Sequence, residues 1–164
     1  MEKEGVSGRA HVITVSDGVS AGIREDVSGR AVVDLLKRAR FGVSGPEVVP
    51  DTHESITDAI VAAVIAGEDL IVTTGGTGLG PRDVTPQATS MLIDYEVPGL
   101  GELMRRAGAS STPMAVLSRG VAGVRGQTLI LNVPGSAGGA TESLEAVMPV
   151  LGHAIQLLHG HTKH

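Results

Sequence analysis

The residues best suited to chemistry sit in one run, Leu70-Ile71-Val72-Thr73-Thr74-Gly75-Gly76-Thr77-Gly78-Leu79-Gly80-Pro81-Arg82-Asp83-Val84-Thr85-Pro86. It reads as strand, glycine loop and helix start. Leu70–Val72 is short and apolar and ends at glycines, as a strand buried on both faces does. Gly75, Gly76, Gly78 and Gly80 let a ligand come close to the main chain. Thr85 is placed to cap the next helix, with Pro86 at its first position. Free N–H groups at such a start attract anions. Asp83 is therefore the unusual member, a carboxylate where a phosphate would be welcome. A carboxylate fixed beside phosphates calls for a cation between them, and Mg²⁺ is the expected one.

Two common glycine loops do not match. Gly75 and Gly80 have the spacing of a Walker A loop, but Pro81-Arg82 follow where Lys and Ser/Thr are required. Gly76-Thr77-Gly78-Leu79-Gly80 lacks the G-x-G-x-x-G spacing of a dinucleotide loop.

The flanking sequence alternates strands and helices. Ala10–Val15 reads as the first strand. Ser16-Asp17-Gly18 ends it, and a loop carrying Asp17, Arg24, Glu25 and Asp26 runs to Ser28, which can cap a helix from Gly29 to about Arg40. In this loop Asp17 or Asp26 either meets ligand or is simply solvated. A strand over about Gly45–Val49 leads to Pro50-Asp51-Thr52, then a helix over Ser55–Ala66 closed by Gly67. Asp51 is either a helix cap or an acid at a strand end. Beyond the glycine loop, helices are expected over Pro86–Ile93 and Pro98–Arg106, a short strand over Ala115–Leu117, and an edge hairpin near Gly120–Gly126. A strong strand over Thr128–Val133 and a final helix over Ala140–Leu158, with Pro149 as a kink, complete the domain. Glu102, Arg105 and Arg106 read as surface charge or as a subunit contact.

This alternation predicts a three-layer α/β/α sandwich with a mostly parallel sheet. Right-handed crossovers then bring Ser16-Asp17-Gly18, Asp51-Thr52, Thr74–Asp83 and Pro134-Gly135-Ser136 to one sheet edge. That edge holds carboxylates, hydroxyls, glycines and an arginine. No histidine falls in these loops, which argues against a serine–histidine–acid hydrolase. Phosphoryl or nucleotidyl transfer suits the inventory, being mostly positioning and charge neutralisation.

Composition sets the outer bounds. A chain of 164 residues with 41% hydrophobic and 19% charged content fits one globular domain. We expect a flexible arm over 1–8, the domain over 9–158 and a solvated, histidine-rich tail over 159–164. The 23 glycines lie between apolar runs and point to tight loops. Phe41 and Tyr95 are the two aromatic residues, so the core must be aliphatic. With a net charge of −5 and no aromatic platform, nucleic-acid binding is disfavoured. The absence of cysteine removes disulfide and thiolate chemistry and fits a cytoplasmic protein. No signal peptide or membrane span is expected.

Thr73-Thr74-Gly75-Gly76-Thr77-Gly78, with Pro81-Arg82-Asp83-Val84-Thr85-Pro86 and Ala88-Thr89, resembles the signature of the MogA/MoaB family of molybdenum-cofactor biosynthesis proteins. Gephyrin-type G domains are similar. Ser16-Asp17, Pro50-Asp51, Pro98-Gly99-Leu100-Gly101-Glu102, Leu117-Ser118-Arg119 and Asn132-Val133-Pro134-Gly135 extend the likeness from about Ala10 to Leu158. The resemblance implies a molybdopterin adenylyltransferase that uses ATP and Mg²⁺ and releases pyrophosphate. It implies Asp51 and Asp83 as catalytic and metal-holding acids. Ser16, Asp17, Thr74, Gly75, Gly76, Thr77 and Gly78 would bind nucleotide and substrate; Ser118, Arg119, Pro134, Gly135 and Ser136 would form a second wall. It also implies a homotrimer and a partner protein that inserts molybdate. Where relatives often carry Pro-Gly-x-Pro, this chain has Pro134-Gly135-Ser136-Ala137-Gly138-Gly139, a looser wall. The alternatives are a non-catalytic molybdopterin-binding module and a Mg²⁺-dependent nucleotide or phosphate-ester hydrolase.

Overall fold

A computed structural model describes residues 8–162 of the chain. Residues 1–7 of the expected arm and 163–164 of the tail lie outside the described residues. Gly8, assigned above to the arm, opens the first strand.

The sheet is built from β1 (Gly8–Val15), β2 (Phe41–Val49), β3 (Leu70–Thr74), β4 (Tyr95–Glu96), β5 (Ala122–Arg125) and β6 (Thr128–Val133). Their order is β2-β1-β3-β6-β5-β4. The four strands β2, β1, β3 and β6 run parallel; β5 and β4 add an antiparallel margin. The helices are α1 (Asp17–Ser20), α2 (Val27–Arg38), α3 (His53–Ile65), α4 (Thr85–Leu92), α5 (Pro98–Ala109) and α6 (Ala137–Leu158).

Side chains alternate across the parallel strands, and both faces are buried. Ala10, Val12, Leu70, Val72, Leu129, Leu131 and Val133 pack on one face with α2, α5 and α6. Ile13, Val15, Ile71 and Ile130 pack on the other with α3 and α4. This explains the near-continuous apolar runs in the sequence. The expected α/β/α sandwich is the observed architecture.

Several boundaries differ, each for a local reason. Helix α2 starts at Val27 because Asp26, not Ser28, caps it, its Oδ1 accepting from the Gly29 N–H at 2.9 Å. Asp26 Oδ2 accepts from the Thr14 hydroxyl at 2.8 Å, so this buried acid is structural. Strand β2 begins at Phe41 because Phe41–Val43 pair with Gly8–Ala10. Thr52, not Asp51, caps α3, and Gly67 follows that helix at φ 81° as expected. Thr85 does not cap α4; its hydroxyl donates to the Gly75 carbonyl. The expected strand Ala115–Leu117 is a 3-10 turn over Pro113–Leu117, with Thr112 accepting from the Met114 N–H. Pro113 and that cap outweigh the short apolar run. His159 is tied down, its Nε2 2.7 Å from Asp69 Oδ1, so the tail is not wholly solvated.

Leu144 is fully buried on α6 against the face shared with α2 and α5. Leu144→Ala should lower stability by about 2–5 kcal/mol. Urea unfolding should show an earlier midpoint at unchanged slope; an unmoved midpoint would contradict this packing.

Candidate active site

Strand order creates the crevice. The chain leaves β1 for α2 on one face of the sheet, but leaves β3 for α4 on the other. The loops after these neighbouring parallel strands therefore diverge at the C-terminal edge, where open α/β sheets bind ligands. The glycine loop lies there, between the ends of β1 and β6.

The loop is pinned by its backbone. Gly75 (φ 100°) donates its N–H to the Val133 carbonyl at 3.1 Å, and a Cβ there would stand 2.2 Å from the Val15 carbonyl oxygen. Gly76 (φ 67°) leaves room for the Thr85 hydroxyl, which a Cβ would meet at 2.2 Å. A side chain at Gly76 would thus disturb the loop itself, not only a ligand. Further along, the Gly80 N–H donates to Asp83 Oδ2 at 2.9 Å and holds that carboxylate against the loop.

Arg119 braces the same segment from the β5 side. Its Nε donates to the Gly78 carbonyl at 2.9 Å and Nη2 to the Asp83 carbonyl at 2.8 Å. Its backbone N–H reaches the Thr77 carbonyl at 2.9 Å. Thr74 is fully buried and donates to the Pro134 carbonyl at 2.7 Å, joining the glycine loop to the Pro134–Ser136 wall. Arg119 and Thr74 therefore hold walls of the crevice, the Nε and one Nη2 donor of Arg119 and the Thr74 hydroxyl being engaged.

The acidic half combines Asp17, Asp51 and Asp83. Asp17 and Asp51 bond reciprocally: the Asp17 N–H donates to Asp51 Oδ2 at 2.7 Å, and the Asp51 N–H to Asp17 Oδ1 at 3.0 Å. Ser16 caps α1 just before them, accepting from the Val19 N–H. The Asp51 amide, followed by Arg82, holds the Asp17 carboxyl below its ordinary range. Asp51 is shifted the other way. Burial is the main cause, and the charges of Asp17 and Asp83 add to it against the Asp17 amide and Arg82. Asp51 Oδ1 lies on the Gly76 side, 3.3 Å from where a Cβ of that residue would stand.

The other half is a cleft of about 400 Å³ between α5, the 3-10 turn and the start of α6. Thr77, Gly78, Ser118, Pro134 and Ser136 line it, so the predicted second wall does face a cavity that the glycine loop also borders. Gly135 sits behind the loop, a Cβ there falling 3.3 Å from the Gly75 Cα. Ser136 also caps α6, accepting from the Gly139 N–H at 3.1 Å.

Sequence reasoning missed the α5 side. Met104 and Arg105 line the cleft, as does Glu142, which the Ser111 hydroxyl bonds. Arg105 is no surface charge: its Nη1 donates to the Gly120 carbonyl at 2.8 Å. The spacing of Gly101, Arg105 and Gly108 by four and three residues was a legible sign of a cleft-facing helix stripe. Asn132 was visible only as part of a matching motif. It lines the cleft and is buried, donating to Thr73 and Thr89 and accepting from the Val121 N–H.

Comparison with known proteins identifies the family and the fold. The family model for a probable molybdopterin binding domain matches residues 11–153. The chain belongs to this family. The molybdopterin adenylyltransferase of Helicobacter pylori is 39% identical over 91% of this chain and 86% of its own. Gephyrin of Dictyostelium discoideum is 40% identical over 93% of this chain, which spans 23% of that longer protein. The crystal structure of the molybdopterin biosynthesis enzyme MoaB from Thermus thermophilus superposes with a TM-score of 0.87 at 55% identity, covering 93% of this chain and 97% of the other. No helix among the described residues is long and apolar enough to cross a membrane.

The Asp51 carboxyl yields a pH prediction. A raised folded-state pKa means that the folded protein holds more protons than the unfolded chain above the ordinary value of 3.8. Stability from this group then falls as pH rises through that window, and its charge is unfavourable at neutral pH. Asp51→Asn keeps an oxygen for the Asp17 amide and should raise Tm at pH 7. The gain should vanish below about pH 3.8, where wild-type Asp51 is protonated both folded and unfolded. A lower Tm at pH 7 would show that the charge stabilises the fold.

Proposed function

We propose that this protein is a molybdopterin adenylyltransferase of molybdenum cofactor biosynthesis, with ATP as the nucleotide and Mg²⁺ as the cation. The observation that carries the reading is the placement of Asp51 and Asp83 on one side of a glycine loop whose other side borders a partly apolar cleft. On this reading the loop side takes a polyphosphate and the cleft takes a pterin.

The residues fit the cation. Asp51 and Asp83 each engage one oxygen with a backbone N–H, and among the described residues the other oxygen has no hydrogen-bond partner. No group of three acids or histidines among the described residues forms a ready-made metal cage. That matches Mg²⁺, which takes one or two carboxylates and completes its shell with water and substrate phosphate. Bound there, it would neutralise charge on the reacting phosphates.

The protein's own contribution is positioning. The cleft takes the pterin: Met104 supplies apolar surface, and the Ser118 and Ser136 hydroxyls supply polar contacts. The pterin's terminal phosphate then points to the glycine loop, where the Thr77 and Gly78 backbone meets it. An oxygen of that phosphate attacks the α-phosphorus of ATP. A new P–O–P linkage forms, the bond from the α-phosphorus to the β-bridging oxygen breaks, and its electron pair leaves on pyrophosphate. The attacking phosphate is already ionised at neutral pH, so no side chain need act as general base. Arg119 and Thr74 keep the two walls at fixed separation, and Asp83 is held by the Gly80 amide.

Neither alternative is favoured. The relatives similar over most of their length include a molybdopterin adenylyltransferase, and paired acids beside the glycine loop suit transfer better than binding alone.

Asp83→Asn tests the reading. Adenylyl transfer should fall by roughly two to four orders of magnitude, about 3–5 kcal/mol of transition-state stabilisation. Molybdopterin affinity should be retained. Pyrophosphate release and pterin binding measured side by side decide it: near-normal turnover removes Asp83 from the mechanism. ATP consumption by the wild type without pterin would instead mark a hydrolase.

A trimeric assembly belongs to the same proposal, as do a cytoplasmic location and hand-over of the product to a molybdate-inserting partner. Met114, Val116 and Leu117 are exposed apolar residues on the 3-10 turn at the cleft, a surface that a neighbouring copy can cover. Sedimentation at micromolar concentration should give three times the chain mass of 16.7 kDa; a monomer throughout that range would exclude the trimer.

A further inference from the structure

Arg82 crosses the crevice. It stands on the loop after β3 and grips Asp17 on α1, with Nε 3.0 Å from Oδ2 and Nη2 3.0 Å from Oδ1. The side chains are 62% and 45% exposed. A pair this open to water is screened by solvent and salt, so its two partners can separate without leaving a buried charge. Nor does Asp17 depend on it, since the reciprocal bonds with Asp51 already fix the acid. Arg119, by contrast, is anchored to two main-chain carbonyls of the loop, which it cannot leave without loosening that loop. Of these two arginines beside the glycine loop, Arg82 is the one whose partner can be exchanged.

The reaction needs such a cation. Pyrophosphate must leave from a site that already gathers the carboxylates of Asp17, Asp51 and Asp83 around one loop. A guanidinium fork fits two phosphate oxygens as well as it fits one carboxylate, and phosphate carries more charge. Arg82 adjoins Asp83, which places its stem at the entrance to the loop.

We propose that Arg82 binds the pyrophosphate end of the nucleotide, resting on Asp17 in the free protein and exchanging that carboxylate for phosphate when nucleotide arrives. This rests on the transferase reading above. When the bond between the α-phosphorus and the β-bridging oxygen breaks, the electron pair collects on the pyrophosphate that Arg82 holds. No proton moves in the exchange. Asp17 acts as the resting place and Arg82 as the ligand-contacting group.

Calorimetric titration of inorganic pyrophosphate and of ATP, each with Mg²⁺ and without pterin, tests this on wild type, Arg82→Gln, Asp17→Asn and the double variant. Arg82→Gln should weaken both ligands by roughly tenfold to a hundredfold, the loss of a charge-assisted fork. Arg82→Lys should fall between the two. Asp17→Asn keeps an oxygen for the Asp51 amide but frees Arg82, so binding should tighten; the double variant should bind like Arg82→Gln. Thermal melts check that each variant is folded. Arg82→Gln affinity equal to wild type overturns the proposal, as does weakening by Asp17→Asn equal to that of Arg82→Gln, which would make the pair a brace. In both cases the transferase reading stands. A wild type that binds neither ligand brings down that reading and this inference together.

Discussion

Gly75 is the point on which the edge of the sheet turns. Its positive φ and the 2.2 Å that a Cβ would leave to the Val15 carbonyl make it the place where β3 stops and the backbone passes against β1. Its N–H goes to the end of β6, and its carbonyl receives the Thr85 hydroxyl at the start of α4. One residue thereby ties three strand ends to the helix that follows. The acids depend on this knot. Gly76 can lie beside Asp51 only because Gly75 has turned the chain, and Asp83 meets the Gly80 amide only because the loop folds back on itself.

Around that knot, positive charge divides into two kinds of work. The guanidinium of Arg119 is spent on main-chain carbonyls, so it stiffens the loop. Arg82 meets a carboxylate in water and stays exchangeable. The negative side divides as well. Asp17 is held in its charged form by an amide and an arginine, whereas Asp51 carries its charge against burial and two neighbouring acids. A site poised in this way gains when a cation and an anion arrive together, which is what a metal–nucleotide complex supplies.

Much of this was legible in the chain. Thr128–Val133 was read as a strand end to end, because a β-branched and leucine-rich run bounded by turn residues has few alternatives. The glycine loop and the acids Asp51 and Asp83 were legible from residue type and from the family resemblance. Less legible were contacts that join residues far apart. Asp26 and Ser28 are both good caps by type, and only the Thr14 hydroxyl opposite Asp26 decides between them. Thr85 is a good cap by position, yet the Gly75 carbonyl claims its hydroxyl. Arg105 has the character of surface charge by type, and only the fold brings the Gly120 carbonyl to its guanidinium.

The sequence by itself determined the layers, the parallel core and the position of the glycine loop. These follow from local periodicity and from residue types that only a few backbone conformations accept. Tertiary structure decided which polar groups remain available. Whether a hydroxyl, carboxylate or guanidinium can meet a ligand depends on the partner already within 3 Å, and that partner comes from a distant part of the chain. Thr74 and Arg119 match a binding motif by type, but folding commits their donors to Pro134, Gly78 and Asp83. By type Arg82 is one polar member of the loop, and folding places it across the crevice on Asp17.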